Sequence, residues 1–348
     1  MKLNEKIANS IGIDAKYVEF IALRNNLYAR YFIDKKGGGK REILQPSKEL
    51  KVIQRWLLRN ILNNFPVSEY SYAYSKGNSI RKNALFHKNS KYILHTDITN
   101  FFPSITRQML FGYFRNNRQI IDELGLDDED IKFILDICLY KGKYLVVGSV
   151  ASPRIANMVM YDFDLELKKK LDSIGEFYYT RYADDIVISS YDYIDKNLVD
   201  FVEKYITKYG FEMNHKKTFF MNKKSKRQIT GVVIDNNSNK LTIGNRKYKQ
   251  FERIVYKYLV KDEGNEEYIR GYLAYIKELN IEHNERVAIA SQNGVTRDFT
   301  IKISDHVKKD HLYAPIHYIE TNALTPSVYD PYSKEPSFKT VAVKVIKK

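Results

Sequence analysis

The chain has 348 residues, 44% of them hydrophobic, enough to bury a sizeable core and better suited to two or three modest lobes than to one. Lysine and arginine number 57 against 42 aspartates and glutamates, and the net charge of +15 points first to nucleic acid as a partner and second to an anionic membrane surface. The single cysteine, Cys138, excludes an intramolecular disulfide and a multi-cysteine metal cluster, and no apolar run reaches the ~18 residues of a membrane span.

The polar stretch Met1 to Ser10 lacks the apolar region of a signal peptide, so a cytoplasmic protein with no membrane partner is expected. The first thirty residues read as largely helical. Two strand-like runs follow, Tyr28–Ile33 and Glu42–Leu44, around the basic, glycine-rich loop Asp34–Arg41. Pro46-Ser47 opens a helix over 50–62, and another surrounds 80–87. Residues 92–97 form a compact strand pattern that Phe101-Phe-Pro-Ser104 breaks, with a helix predicted over 105–115. An amphipathic helix spans 127–139, with acids in its first turn where the helix dipole favours them. A short strand is predicted at Tyr144–Val147, then one long helix from Ser152-Pro153 to about Leu171. Phe177 to Ser190 reads as strand, tight turn, strand, and 200–209 as a helix. A hairpin is expected from Gln228–Ile234 and Lys240–Ile243, then basic helical sequence from Asn245 to about Ile289. The remainder carries Pro315, Pro326, Pro331 and Pro336 and shows no period. Interleaved helices and short strands predict an α+β fold.

The chemistry concentrates on acids. Tyr182-Ala-Asp-Asp185 lies within an otherwise apolar, strand-forming run, where two adjacent carboxylates are costly to bury without a counter-charge. A turn between strands exposes them at an edge, where a divalent cation can neutralise them. Asp97 ends another strand. Two-metal phosphoryl transfer needs carboxylates from separate strands converging on ions ~3.5–4 Å apart. Asp97, Asp184 and Asp185 meet that need if their strands are neighbours; otherwise they are a strand-end cap and an ordinary turn.

In order along the chain these residues resemble the reverse transcriptases. Tyr182-Ala-Asp-Asp185 is similar to their metal-binding turn, and Asp97-Ile-Thr-Asn-Phe-Phe102 to their first acidic motif. Asn83-Ala-Leu-Phe-His87 resembles a motif of the retron branch, with no role assigned to Asn83 or His87 beyond hydrogen bonds on a helix surface. Gly148-Ser-Val-Ala-Ser-Pro153, Asn214-His-Lys-Lys-Thr218 and Ile229-Thr-Gly231 resemble, in turn, the Ser-Pro entry to the template-facing helix, the lysine motif and a retron element. The set covers roughly residues 28 to 285.

The resemblance implies a right-hand polymerase with a reverse-transcriptase palm: fingers over 1–90, palm over 91–235, thumb over 236–290, and a C-terminal extension, 291–348, of unknown role. It implies two Mg2+ ions, with Mn2+ as a substitute, held by Asp97, Asp184, Asp185 and the backbone carbonyl of Ile98. Phe102 would block a ribose 2′-hydroxyl. Lys40 and Arg41 would hold the incoming dNTP, Gly148 would lie beside it, and Lys217 would protonate departing pyrophosphate. One departure stands out: Val146 and Val147 occupy the positions of the usual Pro-Gln, and the Gln normally helps to place the nucleotide. The implied function is DNA synthesis on a structured non-coding RNA, giving an RNA–DNA duplex and branched product (msDNA). The resemblance also implies a setting in phage defence with an effector protein. Alternatives are another defence reverse transcriptase, a group II intron maturase, and an RNA-binding scaffold without catalysis.

Overall fold

The structure, a computed structural model, describes residues 1–279 apart from 25, 36, 37 and 262, together with short strand segments between 285 and 345. It divides into two compact units, Met1–Ser225 and Lys226–Lys348.

The first unit opens with helices α1 (Leu3–Ile11) and α2 (Ala15–Leu23), then the antiparallel hairpin β1 (Tyr28–Asp34) and β2 (Lys40–Pro46). Helix α3 (Lys48–Asn60) is capped by Ser47, whose hydroxyl accepts the Leu50 amide. Helix α4 (Ile80–Phe86) and strand β3 (Tyr92–Asp97) match the predicted spans closely. Phe101–Ser104 is itself a helical turn, α5, before α6 (Arg107–Asn116), α7 (Arg118–Glu123) and α8 (Asp128–Cys138). Acids at Asp127 and Asp130 form a capping box at the start of α8.

Two expectations fail here. Tyr144–Val147 is not a strand: Tyr144 makes only isolated bridges, to Thr106 and Tyr140, while the Val147 carbonyl accepts the Leu44 amide. The long helix after Ser152 is two helices, α9 (Ser152–Val159) and α10 (Tyr161–Ile174), interrupted at Met160. The apolar period continues through the break, which is why the sequence conceals it. Strands β4 (Tyr178–Tyr182) and β5 (Asp185–Ser190), helix α11 (Asn197–Lys208) and strand β6 (Phe219–Asn222) complete the unit.

Strands β3 to β6 form one antiparallel sheet in the order β4-β5-β3-β6. Alternation along each strand separates its two faces. Leu94, Tyr179, Ile186 and Ile188 join a core that includes Ile155 and Phe163 from the helices. Each such fully buried aliphatic or aromatic side chain contributes about 1.5–3 kcal/mol. Ile93, His95 and Asp97 lie on the opposite face with Asp185, Val187 and Ser189.

Helix α4 is pinned to that second face by buried polar groups. Asn83 and His87 are fully buried rather than on a helix surface. The Thr180 hydroxyl donates to Asn83 Oδ1 at 2.6 Å, so its oxygen accepts from His87 Nε2 at 2.7 Å. His87 Nδ1 then accepts from the Ser189 hydroxyl at 2.7 Å. Burial pushes the imidazole down to about 3 from 6.5, so His87 is neutral in the folded protein. The unfolded chain binds this proton below about pH 6.5 and the native state does not. The native state therefore loses stability as pH falls from about 6.5 toward 3, at about 1.4 kcal/mol per pH unit. The non-titrating variant His87→Gln is expected to lose about 2 kcal/mol less than wild type between pH 7.5 and pH 5. Chemical denaturation at the two pH values measures the difference; equal slopes would show that His87 is not held neutral.

The second unit begins with β7 (Arg227–Ile229), β8 (Val232–Ile234) and β9 (Leu241–Thr242) in an antiparallel meander. The single strand predicted over 228–234 is cut by a tight turn at Thr230 and Gly231, both with positive φ (45° and 86°). Arg227 is fully buried and donates to Asn236, Asn239 and the Asp235 carbonyl. Helices α12 (Asn245–Val260) and α13 (Glu266–Glu278) follow. The helical pattern expected up to 289 ends at Glu278, and Glu285–Arg286 and Ala288–Ala290 are extended. Apart from short strands, the C-terminal extension predicted over 291–348 lies outside the described residues. Among the described residues no helix is long and apolar enough to cross a membrane.

Candidate active site

The β4–β5 turn and the end of β3 converge. Asp97 faces Asp185 in register, and the Ile98 amide donates to the Asp184 carbonyl at 3.0 Å. Three acids from two adjacent strands thus share one end of the sheet. Ala183 occupies the left-handed region (φ 57°), which turns the chain sharply enough to present Asp184 and Asp185. Burial, followed by the charges of Asp185 and Asp97, pushes the Asp184 carboxyl up to about 6. A carboxylate set that repels itself in this way is one that a cation stabilises.

Neighbouring groups offset part of that repulsion. Asp97 is almost fully buried; Lys217 Nζ lies 2.6 Å from its Oδ2, and Asn214 Nδ2 donates to its Oδ1 at 3.0 Å. Burial lowers the Lys217 ammonium, but the hydrogen bond and charge of Asp97 outweigh it and raise the group above its usual value. His95 Nε2 lies 3.3 Å from Asp185 Oδ1, and its ring stacks on Phe219 at 4.9 Å. Among the described residues no three histidine, cysteine or acidic side chains are gathered closely enough to hold a metal ion as they stand.

The turn is held from behind. Arg181 and Asp164 are completely buried and paired through two hydrogen bonds, Nε to Oδ1 at 2.8 Å and Nη2 to Oδ2 at 2.7 Å. Tyr179 donates to the same carboxylate at 2.6 Å. Arg181 Nη1 reaches the Ala183 carbonyl at 3.2 Å, so the pair that anchors α10 to β4 also braces the turn.

Phe102 is half-buried on α5 beside Phe101. Arg41 and Lys40 begin β2 on the exposed hairpin, in register with Ile33 and Asp34. Gly148 (φ 113°) lies against β2: a Cβ there would meet the Leu44 carbonyl oxygen at 2.7 Å. Its missing side chain is accounted for by this backbone approach. Gln54 is buried on α3, and its Oε1 accepts from the Ser149 hydroxyl at 3.2 Å and the Val150 amide at 3.3 Å, fixing the loop after Val147.

Sequence reasoning missed His95, Asp164 and Arg181. Alternation alone offered His95, two residues before Asp97 on the same face. The rest depend on contacts distant in sequence.

Acids gathered at the end of an antiparallel sheet, with basic residues close by, define the palm of a template-directed nucleic-acid polymerase. Residues 33–234 match the family model described as reverse transcriptase (RNA-dependent DNA polymerase). The chain belongs to that family and to its retron branch: it is an RNA-directed DNA polymerase with an α+β right-hand fold. Retron Ec86 reverse transcriptase of Escherichia coli is 34% identical over 265 residues, covering 75% of this chain and 79% of that protein. Retron Ec73 reverse transcriptase of Escherichia coli is 32% identical over 264 residues, covering 72% and 83%. A different likeness lies toward the C-terminus, where residues 242–342 match the family described as molydopterin dinucleotide binding domain. Ninety residues, 25% of the chain, are 37% identical to 13% of the F420-dependent formate dehydrogenase 2 subunit alpha of Methanococcus maripaludis. The first family match ends at residue 234 and the second begins at 242, so α12 and α13 fall within the span of the latter.

Proposed function

We propose that this chain copies a structured non-coding RNA of its own locus into DNA by two-metal phosphoryl transfer at Asp97, Asp184 and Asp185. The observation that carries the reading is the register that sets Asp97 against Asp185, with the Asp184 carbonyl bound to the Ile98 amide. Two Mg2+ ions, or Mn2+ in their place, would be held by these carboxylates and the Ile98 carbonyl, supplying Lewis-acid activation of the primer hydroxyl and of the leaving phosphate. The protein's own groups do the remainder. Lys217 neutralises Asp97 between turnovers and gives a proton to departing pyrophosphate. Lys40 and Arg41 bind the triphosphate of the dNTP, and Gly148 keeps β2 close to the loop beside it. Phe102 excludes a 2′-hydroxyl. Priming from a 2′-hydroxyl of the RNA would give a branched RNA–DNA product, used in phage defence with an effector protein.

Fingers over 1–90, palm over 91–235 and thumb over 236–290 suit this activity. Helix α12 carries Arg246, Lys247, Lys249, Arg253 and Lys257, and phosphate contacts of that kind are strong and salt-sensitive. Replacing Lys249, Arg253 and Lys257 with alanine is expected to weaken binding to an RNA–DNA duplex and to flatten its salt dependence by up to ~3 units of slope. Affinities measured at several salt concentrations decide this, and an unchanged slope would remove α12 from the thumb. The stretch shared with formate dehydrogenase is a small part of that subunit.

The test is to express the protein with its flanking locus, purify it and sequence the nucleic acid that accompanies it, alongside Asp185→Ala. Defined DNA with the wild type alone supports templated synthesis, and a 2′-linked RNA at its end supports the branched product. RNA without DNA in both samples favours a binding scaffold.

A further inference from the structure

Tyr74 has no place in the roles assigned above, yet its position is heavily constrained. Its φ is 59°, a left-handed conformation that a bulky side chain seldom adopts and that persists only where the surroundings enforce it. The enforcement is visible. Ser71 bridges Arg181 in parallel, the Arg181 amide donates to the Tyr70 carbonyl, and the Tyr72 amide donates to the Arg181 carbonyl, each at 2.8 Å. Ala73 is fixed by Asn157 of α9, whose Nδ2 donates to its carbonyl at 2.8 Å. The strand leading into the catalytic turn thus holds the segment up to Ala73, and the left-handed step at Tyr74 then redirects the side chain.

The ring is not there to fill the core, since Tyr74 is 53% exposed. It lies against Phe102, with centroids 6.4 Å apart and planes tilted by 52°. Phe102 also packs on Phe101 at 5.5 Å, and Phe101 is buried and packed on Phe211. One neighbour of Phe102 is therefore fixed by the core and the other by a strained, anchored loop. Burial first, then the charge of Asp184, raises the Tyr74 hydroxyl above its usual value, and the charge of Arg41 opposes the shift, so the ring lies within electrostatic reach of both.

We infer that Tyr74 is a specificity-determining positioning residue: it backs the Phe102 ring and so sets how strictly the polymerase rejects ribonucleotides. The inference rests on the proposal that Phe102 excludes a 2′-hydroxyl. Without the Tyr74 ring, Phe102 gains room to move aside, and a ribose fits where only deoxyribose did. Discrimination by shape in a pocket of this kind is worth roughly 10- to 200-fold, and a loosened wall forfeits part of it.

The experiment uses the full chain with Mg2+ on an RNA template annealed to a DNA primer, and measures kcat/KM for dNTP and for rNTP. Tyr74→Asn and Tyr74→Gly both remove the ring while tolerating the left-handed backbone; Tyr74→Phe retains it. Both ring-less variants are expected to shift the dNTP/rNTP ratio toward rNTP by roughly 10-fold, with Tyr74→Phe unchanged and Phe102→Ala shifted further. If Phe102→Ala shifts the ratio and the ring-less variants lower both substrates equally, Tyr74 only supports structure and the inference fails. If Phe102→Ala leaves the ratio unchanged, the reading of Phe102 fails and takes the inference with it.

Discussion

Asp184→Asn is expected to abolish DNA synthesis while leaving the metal-free protein at least as stable as wild type. Asp184, Asp185 and Asp97 lie at one end of the sheet, and burial and mutual charge push the Asp184 carboxyl up. An asparagine of the same shape removes a negative charge from that cluster and relieves repulsion, so thermal denaturation without divalent metal should show an equal or higher Tm. The same change removes a proposed metal ligand. Stabilisation of the transition state by bound metal is worth several kcal/mol, and each 1.36 kcal/mol is tenfold, so primer extension should fall on the order of 10³-fold or more. Asp97→Asn should behave alike in activity but not in stability, because Asp97 is ion-paired with Lys217. Its loss leaves that ammonium without its partner carboxylate. The two variants therefore separate the roles: activity within tenfold of wild type for Asp184→Asn would remove it from the metal site, and a lowered Tm would show that its charge is already balanced in the metal-free state.

The acids were legible in the sequence because their setting is local. A strand ending in Asp97 and a strand-turn-strand around Asp184 and Asp185 are set by alternation and turn chemistry within ten residues, and β3 was placed at its observed bounds. What escaped depends on distance along the chain. Arg181 reads as one basic residue in an aromatic strand, and its partner Asp164 lies 17 residues earlier on a helix whose polar face gives no hint of complete burial. Asn83 and His87 read as surface groups on a short helix, because only the sheet against which α4 packs supplies their partners, Thr180 and Ser189. Tyr74 gives no sign in the sequence, since nothing about a tyrosine announces a positive φ. The apolar run Tyr144–Val147 misled in the opposite sense: it has a strand's composition without a strand's neighbours, and its Val147 carbonyl pairs instead with Leu44 of the hairpin.

The Asp164–Arg181 pair yields the second large expectation, and a combination of variants separates its two roles. Removing one partner of a buried ion pair leaves a charge without compensation and typically costs about 3–5 kcal/mol. Asp164→Asn should therefore lower Tm by about 10 °C, at about 2–4 °C per kcal/mol in a unit of this size. Arg181→Lys should also lower Tm, because a lysine cannot reproduce the two-pronged contact at 2.8 and 2.7 Å. The double variant Asp164→Leu/Arg181→Met should recover most of the stability, since apolar groups of similar volume often replace a buried pair without loss. Activity should not return with it. Arg181 also donates to the Ala183 carbonyl at 3.2 Å, and Ala183 is the left-handed residue on which the presentation of Asp184 and Asp185 depends. A stable double variant with primer extension still depressed would mean that the charged pair is retained to shape the turn rather than to hold the fold. Recovery of both together would reduce it to a structural pair that hydrophobic packing can replace, and the geometry of the acids would then rest on the strand register and the Ile98–Asp184 hydrogen bond alone.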